Sequence, residues 1–137
     1  MFQSPHTIFI VTEFCNDKDL QNYLNGKKFL AEDHAVMFLK QILNGFKGLH
    51  EQSVMHRDFK LANILLHDRI CKIADLGFAK MMKETDLTQT VLGTGLTMAP
   101  EVLKGMPYGL KADIWSIGVV FYQLLTGKYP YSGPNYK

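Results

Sequence analysis

The spacing of apolar residues changes several times along the chain, and each change marks an element. Residues 7–11, TIFIV, are an unbroken β-branched and aromatic run, which predicts a short buried strand. Residues 19–24 predict a short helix that stops near Gly26. Ala35, Phe38, Leu39, Ile42, Leu43, Phe46 and Leu49 then recur at helical spacing, behind Glu32 and Asp33, whose carboxylates suit a helix N-terminus. Gly45 and Gly48 cost such a helix about 1 kcal/mol each relative to Ala, so both are expected to mark a close backbone approach. Residues 64–66 and 71–74 are too short for helices and, with 67–69 between them, predict a small hairpin.

Residues 75–98 carry no clean period, and so long a connection in a compact domain is expected to be either functional or disordered. Pro100 opens a short helix that fades near Gly105. Residues 112–125, ADIWSIGVVFYQLL, are apolar on nearly every face, which predicts a helix surrounded by protein. The stretch is too short and too interrupted by polar groups to span a bilayer.

Composition narrows this picture only a little. The 137 residues are 47% hydrophobic and 20% charged, an ordinary balance for one globular domain. A formal charge of +2 gives no case for nucleic acid or a membrane surface as partner. Cys15 and Cys71 form no CxxC pair and read as free thiols of a reducing compartment, with a disulfide left open. The N-terminal MFQSPHT lacks the basic region and small-residue cleavage site of a signal peptide, and no run approaches a membrane span. An intracellular, cytoplasmic protein is expected.

The densest chemistry lies in residues 54–66, VMHRDFKLANILL, where His56, Arg57, Asp58, Lys60 and Asn63 stand between apolar flanks. A carboxylate such as Asp58 can orient a hydroxyl or take its proton, and an amide oxygen such as that of Asn63 can ligate a hard cation. Asp75, at the end of a predicted strand, can supply a second oxygen ligand. Lys60 places a point charge near Asp58, and a phosphoryl transition state is stabilised chiefly by positioning and cations. Each residue alone reads more simply as a turn former or a solvated charge. Their joint order and spacing carry the signal.

In that order the chain resembles the eukaryotic serine/threonine protein kinases. HRDFKLAN (56–63) matches their H-R-D-x-x-x-x-N, DLG (75–77) their D-F-G and APE (99–101) their A-P-E. KADIWSIGVV (111–120) resembles the buried helix behind their active site, and EFCN (13–16) with DIWSIG (113–118) resembles the autophagy-initiating branch. The resemblance implies an α+β, protein-kinase-like fold, mainly the helical large lobe with one small-lobe strand and the hinge. Residues 1–12 would be that last strand, 13–18 the hinge and 19–137 a truncated large lobe.

It further implies ATP and Mg²⁺ as cofactors and a Ser/Thr hydroxyl of a protein as acceptor. Asp58 would be the catalytic base or hydroxyl-orienting group, Lys60 would steady the γ-phosphate, and Asn63 and Asp75 would hold the metal. Thr94 would bond Asp58 and mark Ser/Thr specificity. Thr12 would be the gatekeeper, the backbone of Glu13 and Cys15 would bond adenine, Asp19 would contact the ribose, and Leu65 would floor the adenine site. Asp113 would accept backbone N–H groups of the loop around Asp58, beyond its plain reading as a helix-start acid. Thr90 would be the phosphorylation site, read out by Arg57 and Lys80.

Departures qualify these implications. Leu76 stands for the usual Phe and is expected to pack as it does. Gly95 and Thr97 stand where the family has Pro and Tyr, which is expected to loosen the substrate-docking loop. No G-x-G-x-x-G or V-A-I-K precedes residue 7, so the chain by itself is expected to bind Mg·ATP weakly and to transfer phosphate barely or not at all. A fragment of a longer kinase is the first reading, with a non-catalytic binding module or a truncated inactive product as alternatives. Glu101 would lack its partner arginine, and burying it so would cost about 3–5 kcal/mol. The helix at 112–125 would expose an apolar patch.

Overall fold

A computed structural model describes residues 2–4, 6–83 and 85–131. Both ends of the predicted domain, residue 1 and residues 132–137, lie outside the described residues.

Helix α1 (Leu20–Asn25) starts where Asp19, in extended conformation, accepts the Asn22 N–H at 2.8 Å, and it ends at Gly26. Helix α2 (Glu32–Glu51) has no side-chain cap, but Glu32 and Asp33 occupy its first turn. Its buried residues, Ala35, Phe38, Ile42 and Phe46, follow the spacing of one helix face. That face packs on α4 (Ala112–Thr126) and on the hairpin of β4 (Ile64–His67) and β5 (Ile70–Ile73). Ile117, Val120 and Leu124 of α4 join Leu20, Leu24, Phe59, Ile64 and Leu66 in the same core. Each such side chain contributes roughly 1.5–3 kcal/mol by leaving water. Gly45 meets its expectation, because a Cβ there would come within 2.8 Å of Ile73 on β5. Gly48 does not, having nothing within 4 Å of that position.

The β4–β5 hairpin pairs Ile64 with Ile73 and His67 with Ile70, and turns through Asp68 and Arg69, both at positive φ, as a two-residue hairpin loop requires. The turn is held from outside. Asn16 exchanges two hydrogen bonds with Asp68, at 2.9 and 3.1 Å, and the Arg69 N–H donates to Asp17 at 3.2 Å. Gln41 of α2 accepts the Cys71 N–H at 2.7 Å. The hairpin that carries Asn63 at one end is thereby fixed to the segment before α1.

A second core of Met55, Met82, Ala99, Val102, Tyr108 and Ala112 lies beneath the long connection. That connection, read as aperiodic, is organised by short polar contacts. A 3-10 turn covers residues 76–78, β6 (Lys80–Met81) pairs with β3 (Val54–Met55), and Thr88 exchanges backbone bonds with Tyr108. Helix α3 (Pro100–Leu103) has Pro100 in its first turn, as predicted.

Three expectations need correction. The run at 7–11 forms a strand only over β2 (Thr7–Phe9), paired with β1 (Phe2–Ser4), so two strands stand where one was expected. It is exposed, with Ile10 and Val11 72% and 73% accessible, because nothing among the described residues packs on it. Leu76 is exposed as well, in the 3-10 turn. Helix α4 buries one side only, leaving Ile114 and Tyr122 in water. The apolar patch expected there is present.

Candidate active site

The loop after β3 is built from both sides. Its backbone turns at Arg57, φ +70°, and the turn is gripped from α4, where the Asp113 carboxylate accepts the His56 N–H at 2.7 Å and the Arg57 N–H at 3.0 Å. Asp113 is therefore more than a helix-start acid. Burial pushes its carboxyl above the ordinary value, and the two N–H bonds offset only part of that. The His56 ring is wholly buried among Phe46 and Phe59. Its Nδ1 accepts the Asp58 N–H at 3.3 Å, which leaves Nε2 to donate to the Ala74 carbonyl at 3.0 Å. This imidazole, given no role from the sequence, braces Asp58 and the residue before Asp75 together. A lone buried histidine gives no sequence signal of such a role.

Asp58 lies 3% exposed at the centre of a polar group. Its Oδ1 accepts from the Thr94 hydroxyl at 2.8 Å, and its Oδ2 from the Lys60 ammonium at 2.8 Å. The Asn63 amide donates to the Asp58 carbonyl at 2.8 Å and to Oδ2 at 3.3 Å, and Lys60 also reaches the Thr94 hydroxyl at 3.0 Å. Burial alone would raise the Asp58 carboxyl, but the Lys60 hydrogen bond and charge, with the Thr94 and Asn63 bonds, outweigh it and hold the group below the ordinary range. Asp58 is a carboxylate at neutral pH. Four residues predicted from 36 positions of sequence thus meet within hydrogen-bond reach.

Asp75 follows Ala74, whose N–H donates to the Asn63 carbonyl at 2.9 Å, so both residues sit at one end of the β4–β5 hairpin. Its backbone is left-handed, φ +60°, and its carboxylate is exposed, accepting only the Gly77 N–H at 3.3 Å. Asn63 spends its Nδ2 on Asp58, which leaves the amide oxygen as the atom able to ligate a cation. Two hard oxygen donors fit Mg²⁺, which takes the rest of its shell from phosphate and water. Among the described residues no three His, Cys, Asp or Glu gather as a metal site.

The predicted nucleotide-facing residues are placed less uniformly. Asp19 and Leu65 form an isolated bridge, with Leu65 half-buried, but the Asp19 carboxylate caps α1. Glu13 is ion-paired with Lys72 at 3.1 Å. Among the described residues no backbone–backbone hydrogen bond outside the helices and strands uses Glu13 or Cys15. Thr12 is exposed. Both cysteines are free, and burial pushes the Cys71 thiol up to about 12, so it is no nucleophile at neutral pH.

Lys80 donates to the Thr88 hydroxyl at 3.2 Å, which lies 3.5 Å from that of Thr90. The Arg57 guanidinium donates to the Phe78 carbonyl at 2.5 Å. The structure therefore brings Lys80 beside Thr90 but ties Arg57 to the start of the long connection. Glu101 is half-buried, so water still hydrates it and the full cost of an isolated buried carboxylate does not arise. Thr97 does not loosen its loop. It is 2% exposed, and its N–H and hydroxyl both donate to the Thr94 carbonyl, at 3.0 and 3.1 Å. Gly93, at φ +115°, lies where a Cβ would come within 2.4 Å of the Arg57 carbonyl. Only glycine lets the threonine segment approach the loop this closely.

A family model described as the protein kinase domain matches residues 1–137. The chain is 40% identical over 132 residues to serine/threonine-protein kinase atg1 of Dictyostelium discoideum, covering 93% of this chain and 20% of that protein. It is 39% identical over 140 residues to serine/threonine-protein kinase unc-51 of Caenorhabditis elegans, covering 94% and 16%. It is 40% identical over 143 residues to human serine/threonine-protein kinase ULK1, covering 97% and 14%. The chain spans a fifth or less of the length of these three relatives.

Proposed function

Because the chain belongs to the protein kinase domain family, we propose that the group around Asp58 is the acceptor side of an ATP-dependent serine/threonine kinase centre. One observation carries the reading: Asp58, Lys60, Asn63 and Thr94 are joined by direct hydrogen bonds around the buried Asp58 carboxylate, with Asp75 at the end of the same hairpin. The Asp58 carboxylate accepts the proton of a substrate Ser or Thr hydroxyl as its oxygen bonds to the γ-phosphorus and the bond to the departing ADP oxygen breaks. Lys60 offsets charge on the transferring group, and Thr94 holds Asp58 toward the hydroxyl. Asn63 and Asp75 would hold Mg²⁺, which supplies charge neutralisation at the phosphates. The backbone of Glu13 and Cys15, with Leu65, would receive the adenine, and Asp19 the ribose.

Thr90 beside Lys80 is proposed as the modified threonine. A phosphate there gains charge-assisted bonds from Lys80, and from Arg57 once that side chain leaves the Phe78 carbonyl. Two free thiols support a reducing, intracellular setting. No helix among the described residues is long and apolar enough to cross a membrane. The 137 residues hold no glycine-rich phosphate lid and no V-A-I-K lysine, and on this reading these residues by themselves would transfer phosphate slowly or not at all.

Radiolabelled ATP with Mg²⁺ and mixed Ser, Thr and Tyr peptides tests the reading. Slow transfer to Ser and Thr peptides that disappears in Asp58→Asn is expected. Transfer that survives Asp58→Asn, or that goes to Tyr alone, overturns it.

A further inference from the structure

Thr94 sits in residues 93–98, a segment with no helix or strand to hold it. Yet its hydroxyl is held at 2.8 Å from one Asp58 oxygen and at 3.0 Å from the Lys60 ammonium. Something else must fix this segment against the loop. On the loop side the support is the first turn of α4, where Asp113 grips the backbone before Asp58. Three residues further along α4, on the same face, lies Ser116, also buried. Its hydroxyl donates to the Thr97 carbonyl at 2.7 Å, across to the threonine segment. Thr97 in turn places two donors, its N–H and its hydroxyl, on the Thr94 carbonyl.

We propose that Ser116 and Thr97 are a buried anchor that positions the Thr94 hydroxyl on Asp58, so that one turn of α4 sets both halves of the pair. The links run from Ser116 to Thr97, from Thr97 to Thr94, and from Thr94 to Asp58. Each is a single hydrogen-bond step between named atoms. Neither anchor residue touches Asp58 in this chain of contacts, so both are positioning residues. The Thr97 N–H alone would leave its side chain free to turn. The hydroxyl fixes that rotamer, and Ser116 fixes the peptide plane beyond it. Valine at 97 keeps the shape and loses the donor, whereas serine keeps the donor and loses a methyl group.

The catalytic consequence rests on the kinase reading above, and the geometric part does not. In the full 137-residue chain, three-bond couplings report the Thr94 side-chain rotamer by NMR. Wild type and Thr97→Ser are expected to hold one rotamer, and Thr97→Val and Ser116→Ala to average between rotamers. Where the wild-type chain transfers phosphate, Thr97→Val and Ser116→Ala lower kcat by about 10- to 100-fold, as a displaced catalytic contact does. KM for ATP stays unchanged, and Thr97→Ser stays close to wild type. A single unaltered Thr94 rotamer in Thr97→Val and Ser116→Ala overturns the anchor, and so does a loss in Thr97→Ser equal to that in Thr97→Val. If Thr97→Val fails to fold by near-ultraviolet circular dichroism, Ser116→Ala decides. In a wild-type chain without phosphotransfer, an outcome that the lack of a glycine-rich lid and V-A-I-K lysine in these residues also allows, the rotamer comparison alone decides the anchor.

Discussion

Asp58 and Asp113 are two aspartates whose surroundings push them in opposite directions, and the difference has a measurable sign. The Asp58 carboxyl is held below the ordinary value of 3.8, so between its folded pKa and that value the unfolded chain binds the extra proton. Stability from this group is present above that window and is lost as pH falls through it. Asp113 is raised above 3.8, so the native state binds the extra proton, and its contribution falls as pH rises through the window above that value. Urea melts at a series of acidic pH values are expected to show Asp58→Asn losing the rise of stability with pH below about 4. Asp113→Asn is expected to lose the opposing fall above it, while destabilising the loop because an amide N–H then faces a backbone N–H. Equal slopes in wild type and both variants would contradict these assignments. The residue identities at the centre were legible because Asp58, Lys60, Asn63 and Asp75 keep fixed spacing in the sequence. His56, Thr97 and Ser116 were not, because their role lies in which neighbour a hydroxyl or imidazole meets after folding.

Among the elements, those with a long apolar period were readable and those held by polar contacts were not. Helix α2 and the β4–β5 hairpin follow their predicted places because their buried residues repeat at spacings that only one structure satisfies. The two-residue strands β3 and β6 leave no period to read, and the segment around Thr94 is placed by Gly93 and by hydrogen bonds. Gly93→Ala is expected to destabilise the protein by about 1–3 kcal/mol, through backbone strain at a conformation L-residues rarely adopt. The clash with the Arg57 carbonyl adds a displacement of Thr94 from Asp58. Thermal melting and amide exchange at Thr94 check both effects. A variant with wild-type melting and exchange would show that the segment does not need this approach.

At the scale of the whole molecule, the chain exposes more apolar surface than a stable monomer usually tolerates. Ile8, Phe9, Ile10, Val11 and Phe14 form one exposed stretch, and Ile114, Tyr122 and Leu43 are further exposed apolar groups on α4 and α2. Concentration-dependent self-association is therefore expected in sedimentation, and Ile10→Lys with Val11→Lys is expected to weaken it. A monomer at every concentration would contradict that. The site lies on the other elements, at the meeting of the β4–β5 hairpin, the loop after β3 and the first turn of α4, where the proposed kinase centre gathers oxygen ligands around one nucleotide-bound cation. Adding Mn²⁺ and ATP to the labelled chain tests this directly, because the manganese broadens nearby NMR signals. The Asn63 side-chain amide and the backbone amides of Asp58 and Asp75 are expected to broaden first, only when both are present, and to sharpen again on adding Mg²⁺. Broadening spread evenly over surface carboxylates such as Glu32 and Asp33, with Asn63 and Asp75 unaffected, would contradict it.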